Sequence, residues 1–171
     1  MRSQFDDSAL VIFANIVNDT QGVSYLIDQL ESLKRFLFKD KEGTISKKTD
    51  VFLAQNLVPV FAEIEEKGLE PATDSGQLQF LDWVISNLKN LPCVKAILAF
   101  EPTETFSARL NSDISAEIGQ KVILELVVDR HIVAGAIFEY EGKIFGDTLE
   151  EKLSLALSRL LQNLSRGKAS K

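Results

Sequence analysis

The chain of 171 residues is 45% hydrophobic and 26% charged, the balance of a globular protein with one domain or two small ones. Its 19 Lys and Arg against 25 Asp and Glu leave a net charge of −6, and no dense basic patch is visible, which argues against a nucleic-acid backbone as partner. A single cysteine, Cys93, excludes an intramolecular disulfide and a multi-cysteine zinc site and fits a reducing compartment. No apolar run approaches the roughly 18–20 residues that span a bilayer. The opening Met1-Arg2-Ser3-Gln4-Phe5-Asp6-Asp7 turns acidic where a signal peptide turns hydrophobic, so a soluble cytoplasmic protein is expected.

In chain order, the first half reads as helices. Leu10, Phe13, Ala14 and Val17 recur at helical spacing until Asn18-Asp19-Thr20 interrupts them. Leu26, Leu30, Leu33 and Leu37 form a second stripe. The polar stretch from Lys39 to Asp50 reads as a loop. A third stripe, Leu53, Leu57, Val60, Phe61 and Ile64, ends where Gly68 suits a left-handed helix terminus, with Pro71 beyond it. A fourth, Leu78, Leu81, Val84, Ile85 and Leu88, runs up to Pro92. Each stripe is one-sided, so the helices must bury their faces on one another as a bundle.

At Pro92 the period changes. Val94 to Phe100 reads as a strand, and Phe106, Leu110, Ile114 and Ile118 as a helix face that Gly119 stops. Lys121 to Val128 alternates, with Val122, Leu124, Leu126 and Val128 on one side and Glu125 on the other. Val133 to Tyr140 reads as a further strand, Glu141-Gly142 as a tight turn, and Lys143 to Phe145 as a short partner strand. Asp147 suits a helix N-cap with Glu150 in capping-box position, followed by the stripe Leu149, Leu153, Leu157, Leu160, Leu161 and Leu164. The expected fold is α+β: an N-terminal all-α helical bundle over residues 1–90, then a small β-α-β-β-α domain over 91–171.

Candidates for chemistry are few. His131, the sole histidine, lies beside Arg130 in a turn and reads as a surface residue; Cys93 beside Pro92 reads as a small buried hydrophobe. Glu63, Glu65 and Glu66, with Lys67 next to them, read as a solvated helix face. Gly142 and Gly146 flank a strand without forming a phosphate cradle. Glu101, Glu104 and Asp129 are scattered carboxylates, and Trp83, at helical spacing from Phe80, suits packing. No catalytic residue, cofactor site or metal site is assigned. What remains is a set of amphipathic surfaces, including grooves between helices that would accept a partner helix.

One stretch is more specific. Gly119-Gln-Lys-Val-Ile-Leu-Glu-Leu-Val-Val-Asp129, followed by Ile132-Val133-Ala134-Gly135-Ala136-Ile137, resembles the delta subunit of F-type ATP synthase, the bacterial relative of the mitochondrial oligomycin-sensitivity subunit. Downstream, Glu141-Gly142-Lys143-Ile144-Phe145-Gly146-Asp147-Thr148-Leu149 and Lys152-Leu153 resemble that family's turn, short strand and closing helix at gapless spacing from Asp129. The resemblance covers roughly residues 94–160. It departs from the family pattern at Gly146-Asp147-Thr148, where the glycine and aspartate are exchanged, and the N-terminal half is more divergent. Asp129, Ala134, Gly135, Gly142, Asp147, Lys152 and Leu153 carry architectural roles in this reading: Gly135 for close strand approach, Gly142 for the turn, Asp147 for the cap.

The resemblance implies a non-catalytic stator subunit on the cytoplasmic face of the cell membrane, with no cofactor. It would link the catalytic head to membrane-anchored b subunits, so that proton-driven rotation is coupled to ATP synthesis. The helical part would grip N-terminal helices of alpha subunits, with Leu10, Phe13, Ala14 and Val17 as candidate partner-binding residues. The C-terminal part would hold the end of b through Leu157, Leu160, Leu161 and Leu164. Membrane association would come only through the complex. The alternatives are an unrelated α+β adaptor, an RNA-associated factor or a small enzyme.

Overall fold

Residues 5–37, 43–49, 53–132 and 134–148 are described by a computed structural model and form a mixed α+β fold, with six helices and four strands among them. The order is α1 (Asp7–Asn15), α2 (Thr20–Phe36), α3 (Ile45–Thr49), α4 (Val58–Glu66), α5 (Asp74–Lys89), β1 (Cys93–Leu98), α6 (Glu104–Ile118), β2 (Ile123–Val128), β3 (Gly135–Tyr140) and β4 (Lys143–Thr148). Side-chain caps begin four of the helices, Thr103 accepting from Phe106 N at 3.3 Å ahead of α6. Asp6 accepts from Ser8 N at 2.8 Å, Asp19 from Gly22 N at 2.7 Å and Thr73 from Gly76 N at 3.2 Å. α4 ends in a Schellman turn: Leu69 N donates to Ile64 O and Gly68 N to Glu65 O, both at 3.0 Å, with Gly68 at φ +65°.

The chain divides into two packing units, residues 1–92 with 111–123, and residues 93–110 with 124–171. In the first unit, the apolar stripes of α1, α2, α4 and α5 close a core in which Phe13, Leu26, Leu30, Phe61, Ile64, Phe80 and Leu81 are fully buried. The rings of Phe13 and Phe61 meet edge to face at 5.6 Å, and Phe80 stacks on Trp83 at 6.1 Å. The segment expected to be a loop between Lys39 and Asp50 contains α3, anchored by the fully buried Ile45. Propensity alone gives so short and polar a helix little support; the side chains packed around it hold it.

The sheet order is β2-β1-β3-β4. β3 runs antiparallel to both β1 and β4, with Ile97 opposite Ile137 and Phe138 opposite Phe145. Ile123 N donates to Pro92 O at 2.8 Å and Asp129 N to Leu98 O at 2.9 Å. The same offset at both ends makes β1 and β2 parallel, with α6 as their crossover. Three expectations change here. β4 continues through Thr148, so Asp147 is a ladder residue opposite Ala136 rather than a helix cap. Val122, Ile123 and Leu124 are buried in succession, so the alternation expected from the sequence is absent at the start of β2. On α6 the buried side chains are Ser107 and Asn111, whereas Phe106 is exposed. The stripe from Leu149 to Leu164, with Lys152 and Leu153, lies outside the described residues.

Candidate functional site

Within the first unit, α1 turns the face carrying Phe13 and Ala14 inward, and Val17, two residues beyond its end, is buried as well; Leu10 is half-buried against the core. The apolar side chains that α1 and its C-terminal end present outward are Val11, 55% exposed, and Ile16, 39% exposed. Helical periodicity identifies the apolar face correctly but cannot say whether a partner or the rest of the bundle covers it; here the bundle does. Tyr25 on α2 and Val58 at the start of α4 are also exposed.

A polar cluster sits behind α3. Glu70 Oε1 accepts from the Ile45 amide at 2.6 Å and from Gln77 Nε2 at 2.8 Å. Gln77 Nε2 also donates to Gly43 O at 3.0 Å, and Gln77 Oε1 accepts from Lys48 Nζ at 2.9 Å. Lys48, whose side chain is 2% exposed, pairs with Asp74 at 2.5 Å, and Ser46 Oγ donates to Glu65 Oε1. Glu70 Oε2 is buried without a hydrogen-bond partner among the described residues. Burial pushes the Glu70 carboxyl up; the Ile45 amide opposes this, the Glu65 charge adds to it, and Lys48 and Gln77 pull down. Nothing in the sequence signals this cluster, because its members come from α3 and the residues just before it, from α4, from α5 and from the turn between α4 and α5.

A second polar pin joins the C-terminal half of α6 to the bundle. Buried Asn111 donates through Nδ2 to Asn18 O and to Val122 O, each at 2.8 Å, while its Oδ1 accepts from Lys121 Nζ at 2.8 Å. Burial lowers the Lys121 ammonium from its ordinary value.

In the second unit, the residues that carry the family resemblance shape turns. Asp129 closes the end of β2: its Oδ1 accepts from the His131 amide and meets His131 Nδ1, both at 2.9 Å. Those bonds, the amide first, hold the Asp129 carboxyl below its usual range. His131 is a solvent-exposed turn residue, as its sequence position suggests. Gly135 opens β3 at φ +108°, so the glycine is required by backbone conformation. Glu141 and Gly142 both have positive φ, +50° and +73°, the signature of a two-residue type I′ hairpin turn between Tyr140 and Lys143. Ala134 is half-buried just before β3. Asp129, Ala134, Gly135 and Gly142 therefore lie at the ends of β2 and β3 and in the turn to β4, while Asp147 lies within β4. Cys93 is exposed, contrary to the buried position expected from sequence. Partial burial of its thiol, with the Glu125 charge nearby, raises it above the ordinary cysteine value and suppresses thiolate. Phe100 and Phe106, 47% and 37% exposed, meet edge to face at 5.2 Å, an apolar feature that α6's sequence stripe hides.

Against this geometry, comparison with known proteins gives a similarity over a short stretch. The chain is 35% identical over 60 residues to the ATP synthase subunit delta, sodium ion specific, of Propionigenium modestum. The aligned stretch is 35% of this chain and 34% of that protein, so the chain spans about a third of the length of the curated relative it matches. No family model matches the chain.

Proposed function

We propose that the chain is a non-catalytic stator subunit of an F1Fo ATP synthase, of the delta type. The observation that carries this reading is the identity with an ATP synthase delta subunit. The mixed α+β fold is consistent with it, and so is the finding that no helix among the described residues is long and apolar enough to cross a membrane. A rotor turning inside the catalytic head exerts torque on it; a brace must hold the head still relative to the membrane sector. Such a brace needs stiffness and slow dissociation. It performs no bond-making step.

In this reading residues 1–90 form the helical domain that binds N-terminal helices of the alpha subunits, and residues 91–171 the β-α-β-β-α domain that binds the C-terminal end of b. The protein is then peripheral, on the cytoplasmic face of the membrane, through the complex alone. The coupling ion is a property of the rotor and membrane sector, so the sodium label belongs to the relative. At α1 and its C-terminal end, the buried Phe13, Ala14 and Val17 would shape the contact from beneath, while the exposed Val11 and Ile16 would meet the alpha-subunit helices. On the C-terminal side, Leu157, Leu160, Leu161 and Leu164 remain the proposed contact with b. An interface burying about 400 Å2 of apolar surface gains on the order of 10 kcal/mol before association costs.

The test is co-purification of the full chain with synthase-bearing membranes. The chain should sediment with them and leave when the catalytic head is stripped away. Val11→Glu should weaken binding to the head at least tenfold while leaving the denaturation midpoint unchanged. Leu160→Glu should weaken b in the same way. A chain that never associates with the synthase, or that associates equally well in both variants, overturns the reading.

A further inference from the structure

α3 spans five residues, Ile45–Thr49, and Ile45 is its one fully buried apolar anchor. A helix that short has no stability of its own. It is seated by the polar contacts behind it, and these converge on Glu70. One oxygen of that carboxyl takes two donors, the Ile45 amide from α3 and Gln77 from α5, while the other takes none among the described residues. The charged groups around it act in different directions. Lys48 of α3 is already held by Asp74 and Gln77 of α5, and Glu65 of α4 adds a second negative charge. Lys47 shares with Glu65 and Glu70 the wall of an open cavity of about 340 Å3, so solvent protons have a path to the site. An ionised oxygen buried without a donor is costly, and a neutral carboxyl in the same place costs less.

We propose that α3 is held by a proton-linked clasp, in which the Glu70 carboxyl seats the helix more firmly when neutral than when ionised. The carboxyl is raised in the folded chain, so its contribution is fully present below the value it has in the unfolded chain. It is lost as pH rises through the folded value. Acidification therefore tightens α3 against α4 and α5, and a rise toward neutral pH loosens it. This inference rests on the bundle and stands whether or not the chain serves as a stator.

The experiment is a pH titration of the intact chain by NMR, following the Glu70 carboxyl carbon and the Ile45 amide that donates to it. Amide exchange of residues 45–49 is measured in parallel and corrected for intrinsic rate. Both resonances should titrate together above the ordinary glutamate range. The opening equilibrium of α3 should rise about tenfold for each unit separating that midpoint from the unfolded value. Glu70→Gln keeps an acceptor for Ile45 and removes the charge, so at neutral pH its α3 should open as rarely as that of the wild type in acid. A midpoint at or below the ordinary range, or an opening equilibrium indifferent to pH, overturns the proposal. So does a Glu70→Gln chain whose α3 opens more readily than the wild type at neutral pH. If that variant does not fold, the wild-type titration decides by itself.

Discussion

The helical unit and the sheet unit bury their side chains in different ways. In the bundle, every apolar stripe finds another, and rings from α1, α4 and α5 interlock at its centre around Phe13, Phe61 and Phe80. In the sheet, β3 lies between two strands, yet Glu139 is exposed and its other residues are only half-buried. β3 is hydrogen-bonded along both edges, while its neighbour β1 buries Val94, Ala96 and Leu98. The bundle is held by its closed faces, whereas β3, which is only half-buried, depends more on its ladder and its turns. Loss of a core side chain should therefore damage the first unit most, and loss of a turn residue the second.

That contrast can be broken by substitution. Phe13→Ala removes a fully buried ring from the bundle centre and should cost about 3–5 kcal/mol. Trp83, packed against Phe5 and Phe80, gives a fluorescence signal for urea unfolding of this unit, and the midpoint should fall sharply. Gly142→Ala meets no steric neighbour but forces an L residue into positive φ, at a cost of about 1–2 kcal/mol. Amide exchange in β3 and β4 should quicken; unchanged exchange there would mean that the hairpin turn does not hold this edge of the sheet.

The smallest effect sharpens a difference inside the bundle itself. The Ser8 amide and hydroxyl hold the Asp6 carboxyl low, so the cap on α1 is present above the ordinary aspartate range and is lost as pH falls through the folded value. Glu70 behaves with the opposite sign. On acidification, amide exchange corrected for its intrinsic rate should rise in the first turn of α1 and fall in α3, in one sample. Two segments changing in the same direction would contradict this assignment.

Much of the fold was legible in the sequence because its signals are local. Leu26, Leu30, Leu33 and Leu37 announced α2 and are all buried, Gly68 marked the end of α4, and Glu141-Gly142 marked the hairpin turn. The polar anchors were not legible. Asn111 joins Asn18, Lys121 and Val122, and Glu70 joins Ile45 and Gln77, contacts between residues that no periodicity relates. Likewise, Asp147 in a Gly-Asp-Thr string carries the same local signal whether it caps a helix or continues a ladder; the pairing of β4 with β3 decides.

By itself, the sequence determined which residues are apolar together, where the chain must turn, and a stretch of identity with an ATP synthase delta subunit. Those properties depend on residue type and spacing. Tertiary structure alone decided that Phe13, Ala14 and Val17 face inward while Val11 and Ile16 face out, and that a polar segment becomes α3. The reason is physical: burial and the satisfaction of a buried carboxyl are set by what other segments bring to the same place.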